Sequence, residues 1–130
     1  MNPERMRKIK HELRTPVNHI LGYSELVMES ASDSGDDIGA ELAKGIQASG
    51  QTLARLLERN LLGPPGEIDD ARMNALRLSL RPVVADILET LSATRALPSG
   101  DVLSGDLDRI RRAAQELMLF AEAEGTQLPD

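Results

Sequence analysis

The sequence predicts an all-α protein, an antiparallel four-helix bundle made of two tandem helical hairpins. Apolar residues recur at spacings of three and four in four segments, no segment shows the period of two that marks strands, and turn-forming residues separate the segments. The 130 residues include one Phe, one Tyr and no Trp, so the core is expected to be aliphatic. A chain of this length can bury one core of its own.

The first predicted helix starts near Asn2 and Pro3, which suit a helix cap and a first helical turn. Its core-facing stripe consists of Ile9, Leu13, Val17, Ile20, Leu21 and Met28. A stretch rich in Ser, Asp and Gly at 30–37 predicts the turn that follows. We interpret the carboxylates of this turn as solvated or helix-capping groups; they are Asp33, Asp36 and Asp37.

The other three helices are predicted in the same way, each from an apolar face and a break after it. The second ends at the Gly-Pro-Pro-Gly run of 63–66, and its inner face is Ile38, Leu42, Ile46, Ser49, Leu53, Leu56 and Leu57. The third extends from residue 70 to the break at 97–100, with an inner face of Met73, Leu76, Leu80, Val83, Val84, Ile87, Leu88 and Leu91. The fourth stops near Gly125, with an inner face of Val102, Leu107, Ile110, Ala114, Leu117 and Phe120.

The second half of the chain resembles a degenerate copy of the first. At an offset of 67 positions, the pairs Leu80-Arg81 and Ile87-Leu88 align with Leu13-Arg14 and Ile20-Leu21. At an offset of 64 positions, Ile110, Gln115 and Leu117 align with Ile46, Gln51 and Leu53. The predicted organisation is therefore a hairpin at 1–63, a linker at 64–69 and a degenerate hairpin at 70–125. The alternative is that any two amphipathic hairpins align this well.

A tandem copy predicts an intramolecular pseudo-dimer, in which one chain supplies both halves of the bundle. The alternative is a homodimer in which each hairpin pairs with its counterpart from a second chain. Under the duplication, the second copy has lost the reactive side chains of the first. Leu78 stands in the position of His11, Ser79 in that of Glu12, and Pro82 in that of Thr15.

Composition excludes several classes of function. A net charge of −6 argues against a nucleic-acid partner, which favours basic surfaces. The absence of Cys excludes disulfides and thiolate metal sites, and no metal is expected at the two histidines, which lie eight residues apart. No apolar stretch reaches the roughly 18–20 residues that span a bilayer, and there is no signal-peptide core. A cytoplasmic protein, or an excised piece of a larger one, is expected.

His11 is the candidate nucleophile of the first helix. Imidazole, with an ordinary pKa of about 6.5, is partly neutral near pH 7 and can attack phosphorus. Because Leu13 and Val17 face the core, His11 is expected to project outward. Glu12 follows at a rotation of about 100° around the helix, where its carboxylate could accept the imidazole proton or orient the ring.

Three further residues of this helix are considered for a role beside His11. Thr15 lies one turn beyond His11 on the same face, where its hydroxyl could position a water. Pro16 removes a backbone hydrogen bond at an interior cost of about 3 kcal/mol, so a kink beside the histidine is expected. His19 has no acidic neighbour and is interpreted as an ordinary histidine at the core boundary.

The run HELRTPVNHILGYSEL at 11–26 closely resembles the H-box of sensor histidine kinases, the dimerisation and phosphoacceptor (HisKA) domain. That resemblance implies helical hairpins that pair into a four-helix bundle, a separate ATP-binding domain that phosphorylates the histidine, and a response-regulator receiver domain that takes the phosphoryl group. It makes His11 the phosphoacceptor, Glu12 its catalytic helper, and Glu12 with Thr15 a phosphatase motif. Other residues match the pattern in supporting positions: Arg14, Pro16, Asn18, Gly22, Tyr23 and Glu25.

The predicted function is a phosphoacceptor module of two-component signalling that is not catalytic by itself. The motifs of the family's ATP-binding domain are missing, so no cofactor is expected in this chain and ATP with Mg²⁺ would be bound by a separate domain. One alternative is a catalytically silent interaction bundle. Another is a stand-alone histidine phosphotransfer protein, although such proteins usually carry His-x-x-Lys-Gly, which His11 does not begin here.

Overall fold

Four α-helices make up the fold in a computed structural model, which describes residues 3–61, 69–93 and 101–123. They are α1 (Pro3–Asp33), α2 (Asp37–Asn60), α3 (Asp70–Ala93) and α4 (Asp101–Glu122). The described ranges contain no strand. The predicted all-α class is therefore confirmed.

The four helices close into one bundle. Helix α1 packs against α2 and α4, and α3 packs against the same two helices from the opposite side. Neighbours in the second hairpin are antiparallel, since Arg81 Nε donates to the carbonyl of Ala121 at 2.7 Å and Arg111 Nη2 donates to that of Leu91 at 3.5 Å. The predicted antiparallel four-helix bundle is confirmed, and one chain supplies all four helices.

The core is aliphatic, and its burial pattern follows the repeat. Along α1 the residues with at most 2% of their surface exposed include Met6, Ile9, Leu13, Val17 and Ile20. Their counterparts 67 positions later are equally buried: Met73, Leu76, Leu80, Val84 and Ile87. A hydrogen bond between Ser24 and Gln47 joins α1 to α2, and the counterparts of these two residues, Leu91 and Arg111, are also hydrogen-bonded. These equivalences support the duplication.

Two expectations were wrong, one about the end of α1 and one about the inner face of α2. Helix α1 continues to Asp33 instead of ending near residue 30, because Ser34 caps it by donating its amide and its hydroxyl to the carbonyl of Ser30. Ile38 does not face the core and is 66% exposed. It lies in the first turn of α2, where the neighbouring Gly39 takes the buried position.

The remaining partly buried residues on the predicted inner faces include Leu21, Met28, Leu42, Ser49, Leu56, Val83, Leu88 and Leu107.

Of the three carboxylates assigned to the turn, Asp36 is confirmed as a helix cap, whereas Asp33 is the last residue of α1 and Asp37 the first of α2. The Asp36 carboxylate accepts a hydrogen bond from the Gly39 amide at 2.9 Å and caps α2. Gly35 ends the preceding helix with φ of 74°, a conformation that side chains disfavour. Several other expectations fall outside what the structure describes: the cap at Asn2, the breaks at 63–66 and 97–100, the side chain of Val102, and the end near Gly125.

Three polar residues that sequence reasoning did not single out are buried, namely Ser24, Arg77 and Asp106. Arg77 is 2% exposed, and its guanidinium lies 4.9 Å from the centre of the Phe120 ring. Burial lowers the pKa of Arg77 from its ordinary value, because desolvation disfavours the charged form. No helix in the described part of the chain is long and apolar enough to span a bilayer.

Candidate functional site

His11 lies on the face of α1 that points away from the core. Leu13 and Val17 are each only 2% exposed, and the helical period then turns His11 outward. Within the described residues its ring makes no hydrogen bond or ion pair; only its backbone carbonyl has a side-chain partner. The imidazole is therefore open to a visiting domain.

Glu12 is directed toward Lys8 in the preceding turn. Its Oε1 lies 3.8 Å from Lys8 Nζ, and its side chain is 26% exposed compared with 62% for that of Lys8. Its Oε2 is buried and has no hydrogen-bond partner among the described residues. A carboxylate accepts hydrogen bonds at both oxygens, so Glu12 retains an uncommitted acceptor next to His11.

Thr15 and Pro16 modify the backbone beside His11. Thr15 is exposed, and its hydroxyl donates to the His11 carbonyl at 3.0 Å. That bond uses the single donor of the hydroxyl and leaves its acceptor lone pairs available to a water. Helix α1 continues through Pro16, which is buried and has no N–H to donate to the Glu12 carbonyl.

Three basic residues share the face of His11. Arg7, Lys8 and Arg14 stand four before, three before and three after it, the spacings at which helical residues are neighbours. All three are exposed, as is Asn18 two turns further along the same face. Sequence reasoning singled out Arg14 and Asn18 but missed Arg7 and Lys8, which the helical spacing from His11 could have revealed.

His19 belongs to a different cluster, at the packing of α1 against α4. Its ring meets the Tyr23 ring edge to face, with centroids 5.8 Å apart. The Arg109 guanidinium of α4 lies 5.5 Å from the Tyr23 centroid and forms an ion pair with Asp106 at 3.0 Å. The described residues contain no group of three His, Asp or Glu side chains able to hold a metal ion.

The counterpart of this site on α3 has no histidine and no carboxylate at the matching positions. Leu78, which aligns with His11, is 60% exposed. Ser79, which aligns with Glu12, donates its hydroxyl to the Ala75 carbonyl at 2.8 Å. Pro82, which aligns with Thr15, is exposed, whereas Pro16 is buried. The bundle therefore presents one face with an exposed histidine and one without.

An exposed histidine on a helical hairpin within a four-helix bundle defines the class of helical phosphoacceptor domains. Residues 4–62 match the family described as the His Kinase A (phospho-acceptor) domain. The first hairpin matches that family along its described length, and the resemblance carried by residues 11–26 is confirmed. The match ends at residue 62, before the second hairpin begins.

Curated relatives include plant histidine kinases. The chain is 27% identical over 122 residues to Histidine kinase 3 of Arabidopsis thaliana, covering 85% of this chain and 11% of that protein. It is 28% identical over 122 residues to Probable histidine kinase 3 of Oryza sativa subsp. japonica, covering 85% of this chain and 12% of that protein. The chain thus spans about 11–12% of the length of these relatives. No solved structure matches.

Proposed function

We propose that this chain is a phosphoacceptor module of two-component signalling, in which His11 receives a phosphoryl group and exchanges it with an aspartate of a response-regulator receiver domain. The observation that carries the proposal is the exposed, unengaged imidazole of His11 within a HisKA hairpin. A nucleophile that must meet two bulky partner domains needs this exposure. ATP with Mg²⁺ is bound by a separate ATP-binding domain, so the chain does not phosphorylate itself.

In the first step, one ring nitrogen of neutral His11 attacks the γ-phosphorus of ATP held by that separate domain. An N–P bond forms, the bond from phosphorus to the bridging oxygen breaks, and ADP leaves with that electron pair. The proton of the other ring nitrogen passes to Glu12 or to water. Glu12 suits this role, because it is adjacent to His11 in the sequence and its carboxylate has only a loose contact, at 3.8 Å, with Lys8 among the described residues.

In the second step, a carboxylate oxygen of the receiver aspartate attacks the same phosphorus. The N–P bond breaks, and the imidazole regains a proton. The reverse direction loads His11 from a phosphorylated receiver. A hydrolytic branch is supported by Thr15, whose hydroxyl can accept a hydrogen bond from a water while donating to the His11 carbonyl. That water attacks the phosphorus of the phosphoaspartate, the bond from phosphorus to the carboxylate oxygen breaks, and the aspartate carboxylate and inorganic phosphate are released.

The test is labelling of purified protein by a histidine-kinase ATP-binding domain encoded in the same gene or beside it, with radiolabelled ATP. We expect label that is stable to base and labile to acid, as phosphohistidine is, and we expect His11→Gln to abolish it. His19→Gln is the matched control and should keep the label, while circular dichroism should show unchanged helicity in both variants. Label that persists in His11→Gln would overturn the assignment.

A second candidate function is a catalytically silent interaction bundle. It is favoured by the second hairpin, where Leu78 is 60% exposed at the position that aligns with His11 and Ser79 replaces the carboxylate. Under this function His11→Ala and Glu12→Ala leave signalling unchanged in the cell. Under the phosphoacceptor function, His11→Ala eliminates it.

A further inference from the structure

The surroundings of His11 are more cationic than the protein as a whole. The chain carries a net charge of −6, yet its exposed neighbours at four before, three before and three after His11 are Arg7, Lys8 and Arg14. Within the described residues, Arg7 and Arg14 form no ion pair or side-chain hydrogen bond. Lys8 has only the loose contact with Glu12, at 3.8 Å. Near His11, the guanidinium groups of Arg7 and Arg14 therefore have no side-chain partner among the described residues, and the ammonium group of Lys8 has only this one contact.

The second copy shows that these charges are not required by the helix. At the offset of 67 positions, Arg7 aligns with Asn74 and Lys8 with Ala75. Both cations are thus absent from the face that also lacks the histidine. The third, Arg14, aligns with Arg81, whose Nε donates to the Ala121 carbonyl of α4 at 2.7 Å and so has a structural partner. The cations that lack a firm structural partner therefore lie on the face that carries the histidine. This placement indicates that they act in the chemistry of His11.

We propose that Arg7, Lys8 and Arg14 form a phosphoryl cradle, a site that binds the phosphoryl group carried by His11. The inference rests on the proposed function and adds the residues that hold the product of its first step. A phosphoryl group brings a charge near −2 and three acceptor oxygens, which guanidinium and ammonium groups bind through charge-assisted hydrogen bonds. The neighbouring helical turns place these donors around the imidazole.

Lys8 has a second role in the cradle. In the unphosphorylated protein its ammonium lies near Glu12 Oε1. Once His11 is phosphorylated, the dianion one turn away competes for this ammonium with twice the charge of the carboxylate. Lys8 then moves to the phosphoryl oxygens and leaves Glu12 Oε1 without its cationic neighbour.

The experiment measures the electrostatic effect directly and needs no partner domain. The parent protein carries His19→Gln, so that His11 is the single histidine, and phosphoramidate serves as a small phosphodonor. The second ionisation of the phosphoryl group is followed by ³¹P NMR. Nearby cations favour the dianion, so their removal should raise the midpoint of this titration.

The cradle variant is Arg7→Gln with Lys8→Gln, and the matched control is Arg5→Gln with Lys44→Gln, which removes the same charge at two exposed positions off this face. We expect the midpoint to rise by roughly half a pH unit or more in the cradle variant, with a much smaller change in the control. The difference should shrink in about 1 M salt, where the Debye length is about 3 Å.

Equal midpoints in the cradle and control variants would overturn the cradle. That result is distinguishable from failure of the proposed function, because phosphoramidate labels His11 whether or not a kinase domain does. The two proposals can also be separated in the other direction. If the midpoint changes in the cradle variant but no kinase or receiver domain exchanges phosphate with His11, the cradle is supported and the signalling role is wrong.

Discussion

The two hairpins share a core and differ on their outer faces. Leu13 and Leu80 are almost completely buried at matching positions, but the residues two places before them are His11 and the exposed Leu78. The carboxylate of Glu12 and the hydroxyl of Thr15 are likewise replaced on the second face, by Ser79 and Pro82. Packing constrains the inner positions of both hairpins, since α1 and α3 bury their apolar faces against the same two helices. Packing does not constrain the exposed positions in this way, and there the two hairpins differ.

This difference explains how one chain can present a single exposed histidine of this motif on a bundle with two similar halves. In a bundle made from two identical hairpins, both faces would carry the histidine. Here the second hairpin completes the bundle and carries no histidine at the matching position. Three sets of variants test this comparison between the hairpins. The first introduces a histidine and a carboxylate on the second face, the second shortens core leucines, and the third changes Arg77, a buried residue whose counterpart is less buried.

The largest effect is expected from restoring the second face. Leu78→His with Ser79→Glu, made in the His11→Gln background, should recover labelling by a kinase domain that His11→Gln alone has lost. Leu78 is 60% exposed, so the substitution disturbs no packing. Phosphopeptide mapping should place the label on residue 78.

The mass of the same variant by light scattering supplies the control. A monomer that carries label at position 78 supports the intramolecular pseudo-dimer. A compact dimer at low micromolar concentration would show that the hairpins pair between chains. A monomer without label would show that the second face is not equivalent to the first.

The next effect concerns the shared core. Leu13→Ala and Leu80→Ala should each lower the free energy of unfolding by about 2–5 kcal/mol, because each leaves a cavity at a nearly inaccessible position. Urea denaturation followed by circular dichroism should show a single transition in both variants, since α1 and α3 pack against the same two helices.

Leu78→Ala is the matched control for the core variants and should change the free energy of unfolding by less than about 0.5 kcal/mol, because this side chain is exposed. Two separate transitions, with Leu13→Ala moving one and Leu80→Ala the other, would show that the hairpins unfold independently.

The smallest effect is expected at Arg77, which aligns with the less buried Lys10. Arg77→Met keeps the apolar stem beside Phe120 and removes a charge that burial disfavours, so the free energy of unfolding should change by less than about 1 kcal/mol. Arg77→Ala also removes the stem and should lower it by about 1–3 kcal/mol. Thermal and urea unfolding provide the measurement.

Lys10→Ala is the comparison on the first hairpin, and its effect should stay within about 0.5 kcal/mol. If Arg77→Met destabilises the protein as much as Arg77→Ala, the guanidinium itself stabilises the bundle and the stem does not.

Most of the fold could be predicted from the sequence, because helix periodicity is local. The spacing of Ile9, Leu13 and Val17 identifies the buried face of α1 without knowledge of what covers it, and Asp36 identifies the start of α2. The errors lie where local pattern is weak. Ile38 is apolar and close to the helical register, but its exposure depends on how the turn sets the first residues of α2 against α1.

The residues of the candidate site were predicted from the sequence, but their side-chain contacts were not. His11, Glu12 and Thr15 follow from one short motif, and their roles stay predictions. The contact of Glu12 with Lys8 and that of Thr15 with the His11 carbonyl depend on side-chain conformations that the motif does not specify.

By itself, the sequence determined the helical class, the four segments, the family resemblance of the first hairpin and the outward position of His11, because each follows from residue types at fixed spacings along one helix. Only the tertiary structure decided that α1 and α3 lie opposite each other, that Arg77 is buried against Phe120, and that His19 belongs to a packing cluster with Tyr23 and Arg109. These contacts join residues far apart in the chain. Their geometry is set by the packing of whole helices, which no local spacing encodes.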